Sequence, residues 1–278
     1  MLSSAIIIFR EVLEAALLVG ILAAATRSVA GRSLWIAAGV ATGLAGAALL
    51  AGFTDVIANL ASGVGQELLN AGILLLAVFM LAWHNIWMSS HGKAMADSAR
   101  NIGNSIREGR SELSALFLVV SAAVLREGAE TVLFMYGVSI SDGSNSQDML
   151  LGSLLGLLAG LLTGYVLYRG LMRIPLHTLF KTTGLLILLM AGGMASQAAG
   201  MLTQANLITF MSTPLWDSSN LLSPSSAAGV VLHALTGYEA QPTGMQVIIY
   251  VLTILFIAAG MYLVSRPDKQ TVPASKFD

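Results

Sequence analysis

Residues Ile8–Leu17 read IFREVLEAAL, and they place Arg10, Glu11 and Glu14 inside an apolar run that extends from residue 2 to residue 26. A run of that length is long enough to cross a bilayer. Each charged side chain near the centre of a spanning helix costs about 2.5–3.5 kcal/mol on insertion scales. Three charges at this depth therefore indicate a functional site.

The same pattern occurs a second time in the chain. Residues Val124–Leu133 read VLREGAETVL, and Arg126 stands 116 residues after Arg10. The motif Arg-Glu-x-x-Glu is thus present twice, each time within an apolar segment of spanning length. We infer that the rest of the chain holds these two segments face to face.

The composition is that of a polytopic membrane protein. Of the 278 residues, 56% are hydrophobic and only 10% are charged, whereas a soluble domain has about 25% charged residues. The formal net charge of −1 does not bear on a nucleic-acid partner, and no basic tract indicates one. Because the sequence contains no cysteine, disulfides, thiolate metal sites and thiol redox chemistry are excluded.

Seven segments are apolar and long enough to span a bilayer. Outside the two motifs, Lys and Arg fall only in the first, third and fifth connections, at the span ends that adjoin them, and in the C-terminal tail. The positive-inside rule therefore places the N-terminus outside and the C-terminus in the cytoplasm. The predicted spans are residues 2–26, 34–57, 67–90, 113–140, 149–172, 178–203 and 244–265.

The spans form an internal repeat. The third and sixth spans share a glycine followed by four apolar residues, at 72–76 and 184–188, and the second and fifth share paired glycines at 39/43 and 152/156. These glycines follow small-xxx-small spacing, which favours close helix packing. Because each unit has three spans, the second unit enters the membrane from the opposite side, as in many secondary transporters.

The predicted fold is therefore all-α, with seven transmembrane helices in two inverted three-helix repeats plus one extra C-terminal helix. The predicted boundaries are a first repeat at 1–90, a cytoplasmic loop at 91–112, a second repeat at 113–203, a long outer loop at 204–243, a seventh transmembrane helix at 244–265 and a cytoplasmic tail at 266–278.

The motif itself indicates cation binding. Residues three and four apart share a helix face, so each motif presents two carboxylates on one stripe with a guanidinium in reach. If the two helices run antiparallel, four carboxylates meet two arginines and the site carries a formal charge of −2. Carboxylate oxygens suit hard cations such as Mg, Ca, Mn or ferric iron. The alternative is a structural ion pair between the helices, which would leave two glutamates without partners.

Two such motifs, in the first and fourth of seven spans, resemble the oxidase-dependent iron transporter family, the high-affinity iron permeases, and above all its bacterial iron-uptake branch. Residues 66–69, Gln-Glu-Leu-Leu, are similar to the acidic opening of that family's third span, and residues 237–239 with Pro242 are similar to its last outer loop. Asn70 and Gln246 depart from the family pattern, because relatives often carry an acid at these places.

The resemblance implies an inner-membrane permease that moves ferric or ferrous iron into the cytoplasm. The metal-binding residues it implies are Glu11, Glu14, Glu127 and Glu130, with Arg10 and Arg126 in support. It implies no permanent cofactor, since iron is the transported ion. It also implies an extracytoplasmic partner that oxidises or binds iron before uptake.

Acidic residues in the outer connections can concentrate cations at the mouth of a transport path. Glu67, Asp217 and Glu239 are candidate ligands there, and ordinary solvated loop acids are the alternative. His233 in the outer loop is a weaker candidate for function. His84 stands with Trp83 and Trp87 near the inner end of the third span, and we interpret it as an interfacial anchor, with a metal ligand as the alternative.

Two other functions stay open at this point. Permeases for other metals, such as lead, share the motifs, and an all-oxygen site also suits manganese. A membrane oxidoreductase with a di-metal carboxylate centre is the alternative from another class, but such bundles use Glu-x-x-His pairs. In this sequence no histidine of a predicted span stands three residues from an acid. We therefore predict a transporter and not an enzyme.

Overall fold

A computed structural model describes residues 1–60, 66–142, 146–169 and 176–264, and within these ranges the chain is helical, with no β-strand. This part of the chain forms eight helices, namely α1 (Leu2–Ala25), α2 (Arg32–Leu60), α3 (Gln66–Arg107), α4 (Leu113–Asp142), α5 (Ser146–Tyr168), α6 (Leu176–Gln204), α7 (Ala227–Thr236) and α8 (Gly244–Val264). The predicted all-α class is confirmed. The predicted tail at 266–278 lies outside the described residues.

Five helices, α2, α3, α5, α6 and α8, are long and apolar enough to cross a membrane by length and composition. The helices α1 and α4 also have spanning length, at 24 and 30 residues, but each carries the three charges of a motif. The chain is therefore a multi-pass membrane protein. The two helices that carry the motifs pack against each other.

Rows of glycine bring two pairs of helices into close contact. Helix α5 packs on α1, and α2 packs on α4. The α2 row is Gly39, Gly43 and Gly46, and the α5 row is Gly152, Gly156, Gly160 and Gly164. A Cβ added at Gly43 would lie 2.9 Å from the carbonyl oxygen of Ser121, so a larger residue there would push the backbones apart. The predicted close packing through small residues is confirmed.

The apolar core lies where α3, α6 and α8 meet the motif helices. Helix α3 packs on α6, and α8 covers both. The fully buried side chains at this centre include Ile7, Leu74, Phe134, Ile187 and Ile257. This core fixes the relative positions of α1, α3 and α4, which carry the site described below.

The stretch 91–112 differs from the predicted loop, because α3 continues as a helix to Arg107. Residues 99, 102, 103 and 106 recur at helical spacing and pack with Leu22 and Leu116. A Cβ at Gly103 would collide with the side chain of Ala25 at the end of α1. Asp97 and Arg100, two of the charged residues that indicated a loop, are exposed on the same helix.

The predicted outer loop at 204–243 contains the short helix α7, which rests on α6 and on α1. Ser226 caps α7 by accepting a hydrogen bond from the Gly229 amide at 3.0 Å. Gly237 ends the helix in the left-handed conformation, with φ of 70°. The Cα of Gly237 lies directly against Gly193 of α6, so this contact requires glycine on both sides.

Candidate metal-transport site

Three of the four motif glutamates converge at one buried point between α1, α3 and α4. One ligand atom from each of Glu11, Glu127, Glu130 and His84 lies within 4.8 Å of the others. None of the four residues is more than 9% exposed. In the described part of the chain, no other group of three or more acids and histidines comes together in this way.

Each motif arginine binds a glutamate of its own motif. Arg10 Nε donates to Glu14 Oε1 at 2.9 Å, and Arg126 Nε donates to Glu130 Oε1 at 3.1 Å. Both pairs are four residues apart, so helix geometry alone brings them together. The alternative in which arginines pair with glutamates of the other helix is not the arrangement in the structure.

Glu14 is the motif glutamate that stands outside the convergent group. Its carboxylate accepts the hydrogen bond from Arg10 and lies 3.4 Å from Nε2 of His84. Glu14 therefore contacts His84 and does not join the convergent group. The motif alone had predicted that all four glutamates bind the metal in the same way.

His84 is the member of the group that the sequence analysis missed. It is 2% exposed, with Nδ1 against the carboxylate of Glu130, so its interpretation as an interfacial anchor was wrong. Residues 74, 77, 78 and 81 of α3 are buried and His84 continues that face, but residues 75, 76, 79 and 80 are apolar as well, so the sequence carries no periodic signal for it. Trp83 lies on the other face and is 64% exposed, so the neighbouring aromatic residue indicated the wrong environment.

The oxygens at the centre of the group fit a cation. Both carboxylate oxygens of Glu11 and one of Glu127 are buried and accept no hydrogen bond from the described residues. Burial of a charged oxygen without a partner is strongly unfavourable. Four glutamates, two arginines and a neutral histidine leave a formal charge of −2. A cation among these oxygens would supply the missing partner for each of them.

The three candidate ligands at the outer mouth, Glu67, Asp217 and Glu239, are all exposed. None of them belongs to a metal-binding group of the described residues. Asp217 accepts hydrogen bonds from the side chain and backbone of Ser219 and, at 2.8 Å, from Gln241. These hydrogen bonds lower the pKa of Asp217. A role for these three acids in iron uptake stays a prediction.

Two other polar residues, in and after the predicted outer loop, have structural roles. Gln246 completes a capping box at the start of α8, because its side chain accepts from the Thr243 amide at 2.9 Å. His233 Nδ1 donates to the carbonyl oxygen of Tyr238 at 2.8 Å, which leaves Nε2 to accept from Gln197 at 3.2 Å. His233 therefore fastens α7 to α6.

A bundle of apolar helices around a buried carboxylate site that fits a cation defines a membrane transport protein of the permease class. The chain matches the Iron permease FTR1 family over residues 1–266. It belongs to this family, as the motif resemblance implied, and it is an iron permease and not an enzyme.

Several known relatives cover almost the whole chain. The ferrous iron permease EfeU of Yersinia pestis is 31% identical over 271 residues, which are 96% of this chain and 94% of the relative. The protein of that name from Escherichia coli O6:H1 is 32% identical over 258 residues, at 90% and 91% coverage, and that from Shigella sonnei is 30% identical over 278 residues, at 98% of both. No solved structure matches the chain.

Proposed function

We propose that this protein moves iron across the inner membrane into the cytoplasm through the buried site formed by the two Arg-Glu-x-x-Glu motifs. The observation that carries this proposal is the convergence of Glu11, Glu127 and Glu130, from two different helices, within 4.8 Å. Acidic residues held at such depth between apolar helices typically serve the passage of ions or protons. The printed names of the relatives, ferrous iron permeases, support iron as the substrate.

The inverted repeat and the seven spans are part of this proposal. Gly39 of α2 lies against the Phe117 carbonyl of α4, and Gly152 of α5 lies against the Met1 carbonyl of α1. Phe117 follows Met1 by 116 residues, which is also the separation of the two motif arginines. The two glycine-lined helix pairs therefore pack alike, as expected for units related by a pseudo-two-fold axis, with α8 as an addition.

In this layout α1 runs inward and α4 runs outward, with the N-terminus outside and the C-terminus in the cytoplasm. Glu11 is the tenth residue of the 24-residue α1, and Glu127 is the fifteenth of the 30-residue α4. The site therefore lies near the middle of both helices, at the interface of the two repeats. Transporters built from inverted repeats bind their substrates at this place.

We propose Fe(II) as the transported form. A divalent ion neutralises the formal charge of −2, whereas a trivalent ion leaves an excess positive charge in a buried site, which is unfavourable. Fe(III) delivered by an extracytoplasmic oxidase, as the family resemblance implies, is the alternative. The partner that oxidises or binds iron outside the cell stays a prediction.

The experiment is uptake of radioactive iron by proteoliposomes that contain the purified protein. Iron is offered as Fe(II) held reduced by ascorbate and, separately, as Fe(III) citrate. We expect Glu11→Gln and Glu127→Gln to abolish uptake, because each removes a charged oxygen from the site. Asp97→Asn, which changes an exposed acid of α3, is the matched control and should leave uptake unchanged. Full uptake by both glutamine variants would reject the site, and preference for Fe(III) would reject the proposed oxidation state.

A further inference from the structure

Helix α3 gives the site a third wall that neither motif supplies. His84 lies between Glu14 and Glu130, with Nε2 3.4 Å from Glu14 and Nδ1 against the Glu130 carboxylate. The ring faces the same point at which Glu11 and Glu127 meet. An imidazole is therefore present at the centre of a site that the motifs alone make entirely of oxygens.

The two ring nitrogens of His84 have different surroundings. Nε2 is nearest to Glu14, and Arg10 holds that carboxylate from its other side at 2.9 Å. Nδ1 is buried directly against the Glu130 carboxylate, and neither of these two atoms makes a hydrogen bond of regular geometry within the described residues. A histidine that binds a metal through one nitrogen usually donates its other N–H to a carboxylate, which fixes the ring and the tautomer. Arg10 and Glu14 provide this support on the Nε2 side of the ring. Nδ1 lies on the side where Glu130, Glu11 and Glu127 converge.

His84 has no counterpart in the second repeat unit. The glutamates and arginines occur in corresponding pairs, but the residue of α6 that corresponds to His84, 112 positions later, is Ser196. Helix α3 also packs closely on both motif helices, whereas α6 contacts them less extensively. The symmetry of the repeat is therefore broken at the site, where one imidazole is present and its counterpart is not.

We propose that His84 is a direct ligand of the transported ion, through Nδ1 and beside Glu11, Glu127 and Glu130, and that it makes the site select transition-metal ions over Mg²⁺ and Ca²⁺. This inference rests on the proposed function and adds the selectivity of the same site. Carboxylate oxygens alone accept Mg²⁺ and Ca²⁺ readily, whereas imidazole suits iron and its neighbours in the first transition row. Glu14 then positions the ring and does not bind the ion.

The first test examines the ligand in the wild-type protein, so it does not depend on the folding of a variant. The protein in lipid nanodiscs is loaded with Mn(II) as a paramagnetic probe, and its electron spin-echo modulation is recorded. We expect coupling to one directly bound ¹⁴N nucleus, which changes to ¹⁵N coupling when histidine is labelled with ¹⁵N. A bound Mn(II) without nitrogen coupling would overturn the inference and leave the proposed function standing.

Matched variants identify which histidine is responsible. His84→Gln keeps a neutral side chain but offers oxygen, so the nitrogen coupling should disappear. His91→Gln changes an exposed histidine two turns further along α3 and should keep the coupling. Glu14→Gln should also keep it, because Glu14 supports the ring without binding the ion. Persistence of the coupling in His84→Gln would overturn the assignment.

Transport measures the selectivity. In proteoliposomes given Fe(II) with excess Mg²⁺, the ratio of Fe(II) to Mg²⁺ uptake should fall about tenfold or more in His84→Gln, since even groups that only support a ligand change metal affinity by 10–100-fold. An unchanged ratio in this variant would overturn the inference while the iron permease remains. If the wild-type protein neither binds Mn(II) nor takes up Fe(II), the proposed function itself fails.

Discussion

The guanidinium carbon of Arg126 lies 4.7 Å from the centre of the Trp87 ring, which makes a cation–π contact between α4 and α3. The side chain of Arg126 is 40% exposed, whereas that of Arg10 is only 2% exposed. The two motif arginines make the same bond within their own motifs but lie in different surroundings. Arg10 is enclosed by protein, and Arg126 remains accessible at one side of the site.

This difference predicts unequal effects of the same substitution at the two arginines. Arg10→Met leaves Glu14 as a buried carboxylate without its cation, which costs about 3–5 kcal/mol when such a pair is broken. Arg126→Met should cost less, because the guanidinium is already 40% exposed and water that takes its place can hydrate the Glu130 carboxylate. Thermal unfolding of the purified protein in detergent should show a clearly larger decrease in Tm for Arg10→Met. Equal decreases would contradict the assignment of different environments.

The contact between Gly237 and Gly193 predicts that one added methyl group, at Gly237, weakens the packing of α7 on α6. Gly237→Ala combines a left-handed backbone with a collision against the Gly193 backbone. Gly109 has a similar φ, 72°, but a Cβ there would meet nothing within 4 Å. Gly109→Ala is therefore the control for the backbone conformation alone.

We expect Gly237→Ala to lower Tm by several degrees more than Gly109→Ala and to increase amide hydrogen exchange in residues 227–236. If both variants behave alike, the close approach of the two glycine backbones contributes nothing beyond the strained φ.

The glycine row of α5 predicts that adding a side chain there lowers the stability of the folded protein. A Cβ at Gly156 would collide with the carbonyl oxygen of Ala5 and force α1 and α5 apart. Gly156→Ala should therefore destabilise the protein by about 1–3 kcal/mol, the range for overpacking. Gly72→Ala in α3 is the matched control, since a Cβ there has open space and alanine favours helix by about 1 kcal/mol. The prediction is wrong if detergent melting curves show no loss for Gly156→Ala relative to Gly72→Ala.

The hydrogen bonds to Asp217 predict how the outer stretch responds to acid. The Ser219 side chain and backbone and Gln241 favour the ionised carboxylate, so the folded-state pKa lies below the ordinary value of 3.8. The stabilisation from these bonds is therefore present above pH 3.8 and is lost as the pH falls through the lower folded-state pKa. Ser219→Ala should raise the pKa of Asp217 more than Gln241→Ala does.

The measurement is a ¹³C NMR titration of the protein labelled at aspartate carboxyl groups. Glu239→Gln, which changes another exposed acid of the same stretch, serves as the control and should leave the Asp217 titration in place. A wild-type pKa at or above 3.8 would contradict the assigned hydrogen bonds.

The fold could be predicted to the extent that local sequence decides it. Apolar length and the spacing of charged residues located every long helix to within a few residues, apart from the end of α3. That end was missed because Arg100 and Asp97 suggest a loop, whereas the buried face of the same segment is recognisable only once Ala25 and Leu116 are seen against it. The helix α7 was missed for a related reason, since it is short and is bounded by Ser226 and Gly237, residue types that are also typical of loops.

The sequence by itself determined that two Arg-Glu-x-x-Glu motifs lie in apolar helices and that each arginine can reach the glutamate four residues on, because helix geometry fixes that distance. Only the tertiary structure decided that Glu14 turns away from the convergent group and that His84 enters it. The physical reason is that these positions depend on how α1, α3 and α4 cross. A crossing is set by packing between residues far apart in the chain, such as Ile7, Leu74 and Phe134, and periodicity within one helix carries no information about it.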